Sequence, residues 1–368
     1  MMVKSDVCIV GSGPGGALLA YLLAKQDISV VLLERHSEVS REFRGEFLND
    51  EGEGILKKHG LFNSVEKLGL LRMEQIEYWH DGQILKSIIP EWPVDHVGIH
   101  VPQNHLLKAI LNEAEKLDSF QLMMNTRVTD LMQNEMGRFT GVKARNDGND
   151  GNDLEVQSPL IIGADGRFSI VRKKAGIPVE IKDHGYDLLW AKIPAPEGWM
   201  PSIKMALVNG SQVALFTQAG GFIQIGWNIE HGSFPYLRKQ HFEPFIEDLL
   251  LAFPELKKVV CENIRSWQDF ILLDVYSSYC ETWTKDGVAL LGDAAHTMTP
   301  TGAFGLNCAM KDADILAELI SGCILQGDTG FLGLKMAEPK RKAEIERLQA
   351  IQVDKEMSFA SQFAAAYV

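Results

Sequence analysis

The sequence predicts an α/β fold in which a parallel sheet wound with helices carries an inserted, mainly antiparallel β-sheet and ends in C-terminal helices. Three observations predict it. First, Asp6-Val7-Cys8-Ile9-Val10 is a short apolar strand pattern, a glycine-rich turn follows at 11–16, Ala17 to Lys25 continues as an apolar helix, and Ser29 to Leu33 is a second strand ending at Glu34. That order is a βαβ unit. Second, Asp187 to Ile229 is a long β-rich region broken by Asn209-Gly210 and Gly220-Gly221, with Gly232 just beyond it. Asn-Gly is the strongest of these hairpin signals. Third, Gly287 to Leu291 is another apolar strand, after which the chain turns through glycines and is mostly helical from Gly305 onward.

The remaining elements fall between these. Asn49 to about Gly60 has helical character, and Pro102 to Lys116 is amphipathic, with Leu106, Leu107, Ile110, Leu111 and Ala114 on one face. Ile76 to Pro90 is strand-like, Phe242 to Phe253 a helix, Phe270 to Tyr279 a strand crossing back, and Glu338 to Phe363 a long charged helix. The polar run Asn146 to Asp153 reads as a hairpin tip. The two separated β stretches imply a discontinuous second domain.

Composition narrows the function. A chain of 368 residues, 46% hydrophobic and 23% charged, can bury a full core across two or three joined domains. A net charge of -13 without clustered Lys and Arg speaks against a nucleic-acid surface and for a small-molecule partner. Five scattered cysteines form no CxxC pair and no His cluster accompanies them, so neither a metal site nor a disulfide framework is implied, and a reducing cytoplasm fits. Gly11 to Gly16 interrupt the apolar N-terminus too early for a signal peptide. Nothing approaches the ~18 apolar residues of an integral membrane segment.

Three glycine-rich segments carry the chemistry. In Gly11-Ser12-Gly13-Pro14-Gly15-Gly16 the first glycine allows a tight turn, the second lets backbone approach a pyrophosphate and the third lets helix pack on strand. Glu34, placed to accept a hydrogen bond from a ribose hydroxyl, follows about 20 residues later. The second segment is Gly163-Ala164-Asp165-Gly166-Arg167, and the third runs from Gly292-Asp293-Ala294-Ala295-His296 through Thr299-Pro300-Thr301-Gly302-Ala303-Phe304-Gly305-Leu306-Asn307. A helix starting near Gly305 would aim free N–H groups and a positive dipole end at developing negative charge.

Together the three resemble the FAD-dependent aromatic hydroxylases, the single-component flavin monooxygenases of the p-hydroxybenzoate hydroxylase type. The resemblance implies a Rossmann-like FAD-binding domain of the glutathione reductase type over 1–72, 97–182 and 268–335. It implies a substrate-binding β domain over 73–96 and 183–267, and a C-terminal helical segment over 336–368. It implies FAD contacts from Gly11, Gly13, Gly15, Gly16, Glu34, Arg35, Arg44, Gln103, Val128, Asp165, Gly166, Gly292, Asp293, Gly302, Leu306 and Asn307. Pro300 and Gly305 would line the loop against the reacting side of the flavin. His296 is expected to be structural or flavin-side and is given no acid–base role.

The implied function is a monooxygenase that uses NADPH or NADH and O2 to hydroxylate or epoxidise a substrate through a flavin C4a-hydroperoxide. Where p-hydroxybenzoate hydroxylase binds its substrate carboxylate with Ser and Arg, the corresponding stretch here is Gly220-Gly221-Phe222-Ile223-Gln224-Ile225-Gly226-Trp227. Without Arg or Tyr there, a small benzoate is disfavoured, and Phe222, Gln224 and Trp227 suggest a larger, largely neutral aromatic ligand. The other tryptophans, Trp79 and Trp190 among them, are expected in core or pocket wall. Alternatives are an FAD reductase or halogenase on the same fold, or a non-catalytic flavin scaffold. The Trp-x-Trp-x-Ile-Pro segment typical of halogenases is not evident.

Overall fold

The computed structural model describes residues 1–38, 46–147, 152–328 and 330–367. Its centre is a six-stranded sheet in the order Thr284–Lys285, Val288–Leu290, Leu160–Gly163, Val7–Val10, Val30–Leu33, Phe120–Met123. All neighbours pair in parallel except the short Thr284–Lys285 edge. The strands Val7–Val10, Val30–Leu33 and Leu160–Gly163 are buried throughout, which is why they read as continuous apolar runs and not as alternating ones. Helix Pro14–Ala24 covers one face; its residues from Gly15 to Ala24 are all buried between the sheet and helices Gln103–Ala114 and Phe304–Leu325.

The inserted sheet has seven strands, ordered Ile271–Leu273, Tyr186–Pro194, Phe222–Glu230, Ser211–Gln218, Ser202–Val208, Gln75–His80, Gln83–Ile88. Only the Ser202–Val208 and Gln75–His80 pair is parallel, where the two separated stretches of chain meet. Asn209 and Gly210 both take positive φ, +48° and +78°, as a two-residue hairpin of the primed type requires. Helices Glu243–Ala252 and Lys257–Asn263 cover one face of this sheet and close a third apolar core.

Two expected elements differ. The stretch 270–279 is two strands in two sheets: Ile271–Leu273 edges the large sheet, and Tyr276–Tyr279 pairs with Glu180–Asp183. The long C-terminal helix starts earlier than expected, at Leu332, and runs to Ser358 across Pro339. Strands Phe139–Asn146 and Asp153–Gln157 form the expected hairpin; its tip at 148–151 lies outside the described residues. No described helix is long and apolar enough to cross a membrane.

Candidate active site

The three glycine-rich segments leave the C-terminal ends of three adjacent parallel strands, Val7–Val10, Leu160–Gly163 and Val288–Leu290, the edge at which open α/β sheets bind ligands. They touch there. A Cβ on Gly11, which sits at φ +101°, would stand 2.5 Å from the Ala164 carbonyl oxygen and 2.8 Å from the Asp165 Cα. One on Gly15 would meet Leu291 Cδ1 at 2.5 Å and the Ala309 carbonyl oxygen at 2.8 Å, and one on Gly16 would overlap the Gly11 carbonyl oxygen. Gly13 is different: it caps helix Pro14–Ala24 at φ -65°, ψ 176°, and among the described residues nothing beyond its chain neighbours lies within 4 Å of where its Cβ would be. Its lack of a side chain keeps clear a space that no atom of the described residues occupies.

Around this edge the other expected residues take varied roles. Glu34 is buried; its Oε2 accepts from the Ser12 N–H at 2.9 Å and Ser12 Oγ at 2.8 Å, and its Oε1 accepts from the His36 N–H at 3.0 Å. The half-exposed His36 ring lies 2.6 Å from the same Oε1, so it covers the carboxylate from outside. Arg35 is exposed, and Arg44 lies outside the described residues. Val128 is buried at a register shift in strand Thr126–Gln133, whose first residue donates its N–H to the Glu34 carbonyl at 2.7 Å. Gln103 heads helix Gln103–Ala114 and is 6% exposed; its side-chain Oε1 is buried without a partner among the described residues.

Asp165 serves the protein directly. Its Oδ2 accepts from the N–H groups of Ile170 at 2.6 Å and Val171 at 3.2 Å, and Ser169 Oγ donates to Oδ1, so it caps helix Ile170–Lys174. Burial pushes its carboxyl above the usual range despite these donors. Gly166 beside it takes φ +80°. Asp293 remains about one-third exposed, 3.5 Å from Arg167 Nε. Gly292 (φ +57°) donates its N–H to Asp312 at 2.9 Å.

The loop at 296–303 is held from two sides. Gly302 (φ +74°) and Ala303 (φ +53°) turn the chain into helix Phe304–Leu325, which has no side-chain cap and so offers the N–H groups of its first turn, Gly305 and Leu306 included. Asn307 is buried; its Nδ2 donates to the carbonyls of Ala303 and Phe47, both at 3.0 Å, and its Oδ1 accepts the Asn49 N–H at 3.2 Å. From the other side, Gln352 of the C-terminal helix accepts the Thr299 N–H and donates to the carbonyls of Thr299 and Thr301. Gln349 donates to the Thr297 carbonyl, and Glu356 accepts from Thr299 Oγ1 and from the Tyr186 hydroxyl, each at 2.8 Å. Pro300 sits half-buried in this clamp. The polar residues at 349, 352 and 356 share one face at helical spacing, and that stripe was the available sequence signal for the clamp. Gln352→Leu strands the Thr299 amide and two carbonyls, so it is expected to cost roughly 1–3 kcal/mol for each group left unsatisfied. Faster amide exchange at 297–303 with the rest of the molecule unchanged is the diagnostic result; unaltered exchange there removes the clamp.

His296 is structural. It is buried, with Nε2 2.8 Å from Asp312 Oδ2, and Arg341 Nε donates to Asp312 Oδ1 at 2.7 Å. Burial alone would raise the Asp312 carboxyl, but His296, Arg341 and the Gly292 N–H hold it well below the usual carboxylate range. Neither Asp312 nor Arg341 stands out in the sequence, because buried charges look like surface charges until their partners are known.

On the inserted sheet the three expected ligand-facing residues separate. Ile223, Ile225, Trp227 and Ile229 alternate onto the helix-covered face, and Trp227 stacks on Phe245 with ring centroids 3.8 Å apart. Trp227 is therefore core, a correction that follows from strand parity. Phe222 and Gln224 lie on the opposite face. There Gln224 Oε1 accepts from Gln218 Nε2, and Gln218 Nε2 also lies 3.4 Å from Glu46 Oε2. Glu46 in turn accepts from His100 Nε2 at 3.1 Å and the Gln103 N–H at 3.0 Å, while His100 Nδ1 accepts the Ala219 N–H at 3.0 Å. This network joins the sheet to the strand Ile99–His100 just ahead of Gln103, and the sequence did not mark it.

Comparison with known proteins agrees with this architecture. A family model described as "FAD binding domain" matches residues 4–351. The 6-methylpretetramide 4-monooxygenase of Streptomyces rimosus is 31% identical over 352 residues, covering 95% of this chain and 83% of that protein. Squalene monooxygenase 1,1 of Brassica napus is 25% identical over 86% of this chain, which spans 62% of that protein. Among solved structures, PqsL of Pseudomonas aeruginosa, described as a probable FAD-dependent monooxygenase, superposes with a TM-score of 0.83 at 21% identity, covering 99% of each chain. The chain belongs to the FAD-binding family of aromatic-hydroxylase flavoproteins. It is an FAD-dependent monooxygenase, and so an oxidoreductase.

Proposed function

We propose that the chain uses FAD, NADPH or NADH, and O2 to hydroxylate or epoxidise a largely neutral, aromatic or polycyclic small molecule held between the parallel-sheet edge and the inserted sheet, in a reducing cytoplasm. The observation that carries this reading is the meeting of two surfaces: the glycine edge with its cleared space at Gly13, and the sheet face of Phe222 and Gln224, joined at one end by Tyr186 to Thr301 and at the other by Gln218 to Glu46. The domain division at 1–72, 97–182 and 268–335 against 73–96 and 183–267 is proposed along this seam, with the strand Ile271–Leu273, which edges the inserted sheet, going to the β domain.

Bound FAD supplies electron transfer and oxygen activation. The protein's part is to bind, orient and exclude water. Gly11, Gly13, Gly15 and Gly16 present the start of helix Pro14–Ala24 to the pyrophosphate. Glu34 would accept from ribose as the exposed His36 ring gives way, with Arg35 beside it and Val128 at the adenine, and Arg44 would also contact FAD. Asp293 takes the ribityl hydroxyls, Asp165 and Gly166 shape the turn beside them, and the unpartnered Oε1 of Gln103 accepts from the cofactor. Gly292, Gly302, Leu306 and Asn307 set the course of the loop, and Pro300 and Gly305 line its reacting side. The N–H groups heading helix Phe304–Leu325 stabilise negative charge there.

The test mixes NADPH anaerobically with the FAD-loaded protein in the presence of a panel of neutral aromatics, then admits labelled O2. Flavin bleaching accelerated by one compound, and label in its product, is the expected result. A reductase would consume NADPH and leave the product unlabelled; no bleaching with NADPH or NADH would overturn the reading.

A further inference from the structure

Side chains from three segments meet where the chain passes into and out of the inserted sheet. The first passage leads from the strand Glu180–Asp183 into Tyr186–Pro194, and the return passage leads from Ile271–Leu273 into Tyr276–Tyr279. The strand Phe222–Glu230 ends beside them, with the turn at His231 and Gly232. There an oxygen of Asp187, an oxygen of Asp274 and a ring nitrogen of His231 lie within 4.8 Å of one another. Asp187 is 3% exposed, whereas His231 and Asp274 are open to solvent, so an ion reaches the group without any rearrangement of the fold.

The backbone brings two carboxylates face to face. Leu188 pairs with Leu273 in antiparallel register, so one step further along the two strands sets Asp187 opposite Asp274. Like charges directly opposite are destabilising unless a positive charge stands between them. Among the described residues no Lys or Arg lies within ion-pair distance of Asp183, Asp187 or Asp274, and the Asp274 carboxylate has no hydrogen-bond partner. The one candidate cation is the His231 imidazole, whose single proton cannot balance three carboxylates. Its ring is oriented by both nitrogens: Nδ1 lies 3.1 Å from Asp187 Oδ1, and Nε2 faces Asp183 Oδ2 at 3.5 Å. The backbone fixes these positions, since the His231 N–H donates to the Gly185 carbonyl at 3.1 Å and the Gly232 N–H to Asp187 Oδ2 at 2.8 Å. An imidazole with one nitrogen beside a carboxylate and the other toward open ligand atoms is the arrangement that metal-binding histidines take.

We propose that Asp187, His231 and Asp274 form a site for a divalent transition metal of the zinc type, bound by one oxygen of each carboxylate and by His231 Nδ1, with water completing the shell. Bonds of zinc length set ligand atoms roughly 3–4 Å apart, a spacing that the Asp187 and His231 pair already has and that the exposed Asp274 side chain reaches by a small rotation. The imidazole and the small number of protein ligands favour such an ion over magnesium or calcium, which prefer shells of oxygen. The ion pins the return passage at Asp274 to the first passage at Asp187, next to Tyr186, whose hydroxyl touches Thr301 of the loop. The site is separate from the glycine edge and independent of the monooxygenase reading.

The FAD-loaded protein is stripped of metal with a chelator and titrated with zinc chloride, and bound zinc is measured by equilibrium dialysis alongside the thermal unfolding midpoint. About one equivalent of zinc per chain is expected to bind and to raise the midpoint. His231→Gln and Asp274→Asn alter exposed side chains, so both are expected to fold with metal-free midpoints near the native one. Each is expected to weaken zinc binding about tenfold or more and to abolish the zinc-dependent rise. His231→Gln is the decisive variant, because it removes a ligand and leaves every carboxylate in place. Zinc binding that survives in it, or that magnesium displaces at equal concentration, would show an acidic patch only and overturn the proposal, as would no binding at all. Since neither NADPH nor O2 is present, failure here is separate from failure of NADPH to bleach the flavin.

Discussion

Gly13→Ala is expected to fold normally and to purify depleted of its flavin. The backbone at Gly13, φ -65° and ψ 176°, is open to any residue, and among the described residues the added methyl meets nothing beyond its chain neighbours within 4 Å. The cost to the apoprotein is limited to a poorer helix cap, about 1 kcal/mol or less. The same methyl occupies the approach proposed for the pyrophosphate, so FAD affinity is expected to fall by roughly tenfold or more, equivalent to about 1.4 kcal/mol. Gly15→Ala supplies the contrast: its methyl is driven against Leu291 and the Ala309 backbone, so the fold itself is expected to lose roughly 1–3 kcal/mol. Flavin fluorescence after gel filtration separates the two, and Gly13→Ala protein that keeps stoichiometric FAD would remove the proposed binding edge.

Asp312→Asn is expected to be the most destabilising single exchange outside the glycines. Asp312, 3% exposed, is contacted by His296, Arg341 and the Gly292 N–H, and Arg341 is itself 6% exposed. Removing one partner of a buried ion pair leaves the other uncompensated, at a cost of roughly 3–5 kcal/mol. The pH dependence has a fixed sign. The folded carboxyl is held below its unfolded value, so its stabilisation is complete above the ordinary carboxylate range, about pH 4, and is lost as pH falls towards the folded value. Urea midpoints measured from pH 7 downward should therefore fall less steeply for Asp312→Asn than for the native chain; parallel curves would show that the cluster contributes no linkage.

How far the sequence could be read depended on distance along the chain. The parallel strands were legible because burial on both faces leaves no polar position to blur an apolar run, as in Val7–Val10 and Leu160–Gly163. The hairpin at Asn209-Gly210 was legible because two successive positive φ angles favour that dipeptide. The stretch 270–279 misled because one apolar run served two sheets, and nothing local records which neighbour each half will find. Trp227 misled for a related reason: a strand's composition gives two faces but not which one a helix covers, and Phe245 decided it.

By itself, then, the sequence determined the βαβ unit and the three glycine segments with their order, since each rests on contacts within a few residues or on a motif whose spacing is its geometry, and the FAD-dependent monooxygenase class followed from the family resemblance that those segments carry. Only the tertiary structure decided that Asp312, His296 and Arg341 form one buried cluster, and that Gln349, Gln352 and Glu356 clamp the loop at 297–301. It alone placed Gln224 and Trp190 on one face of the inserted sheet, each with a buried donor that has no partner among the described residues. The reason is physical: the partners of a buried polar group come from segments tens to hundreds of residues away, and folding supplies the proximity that gives such a group its role.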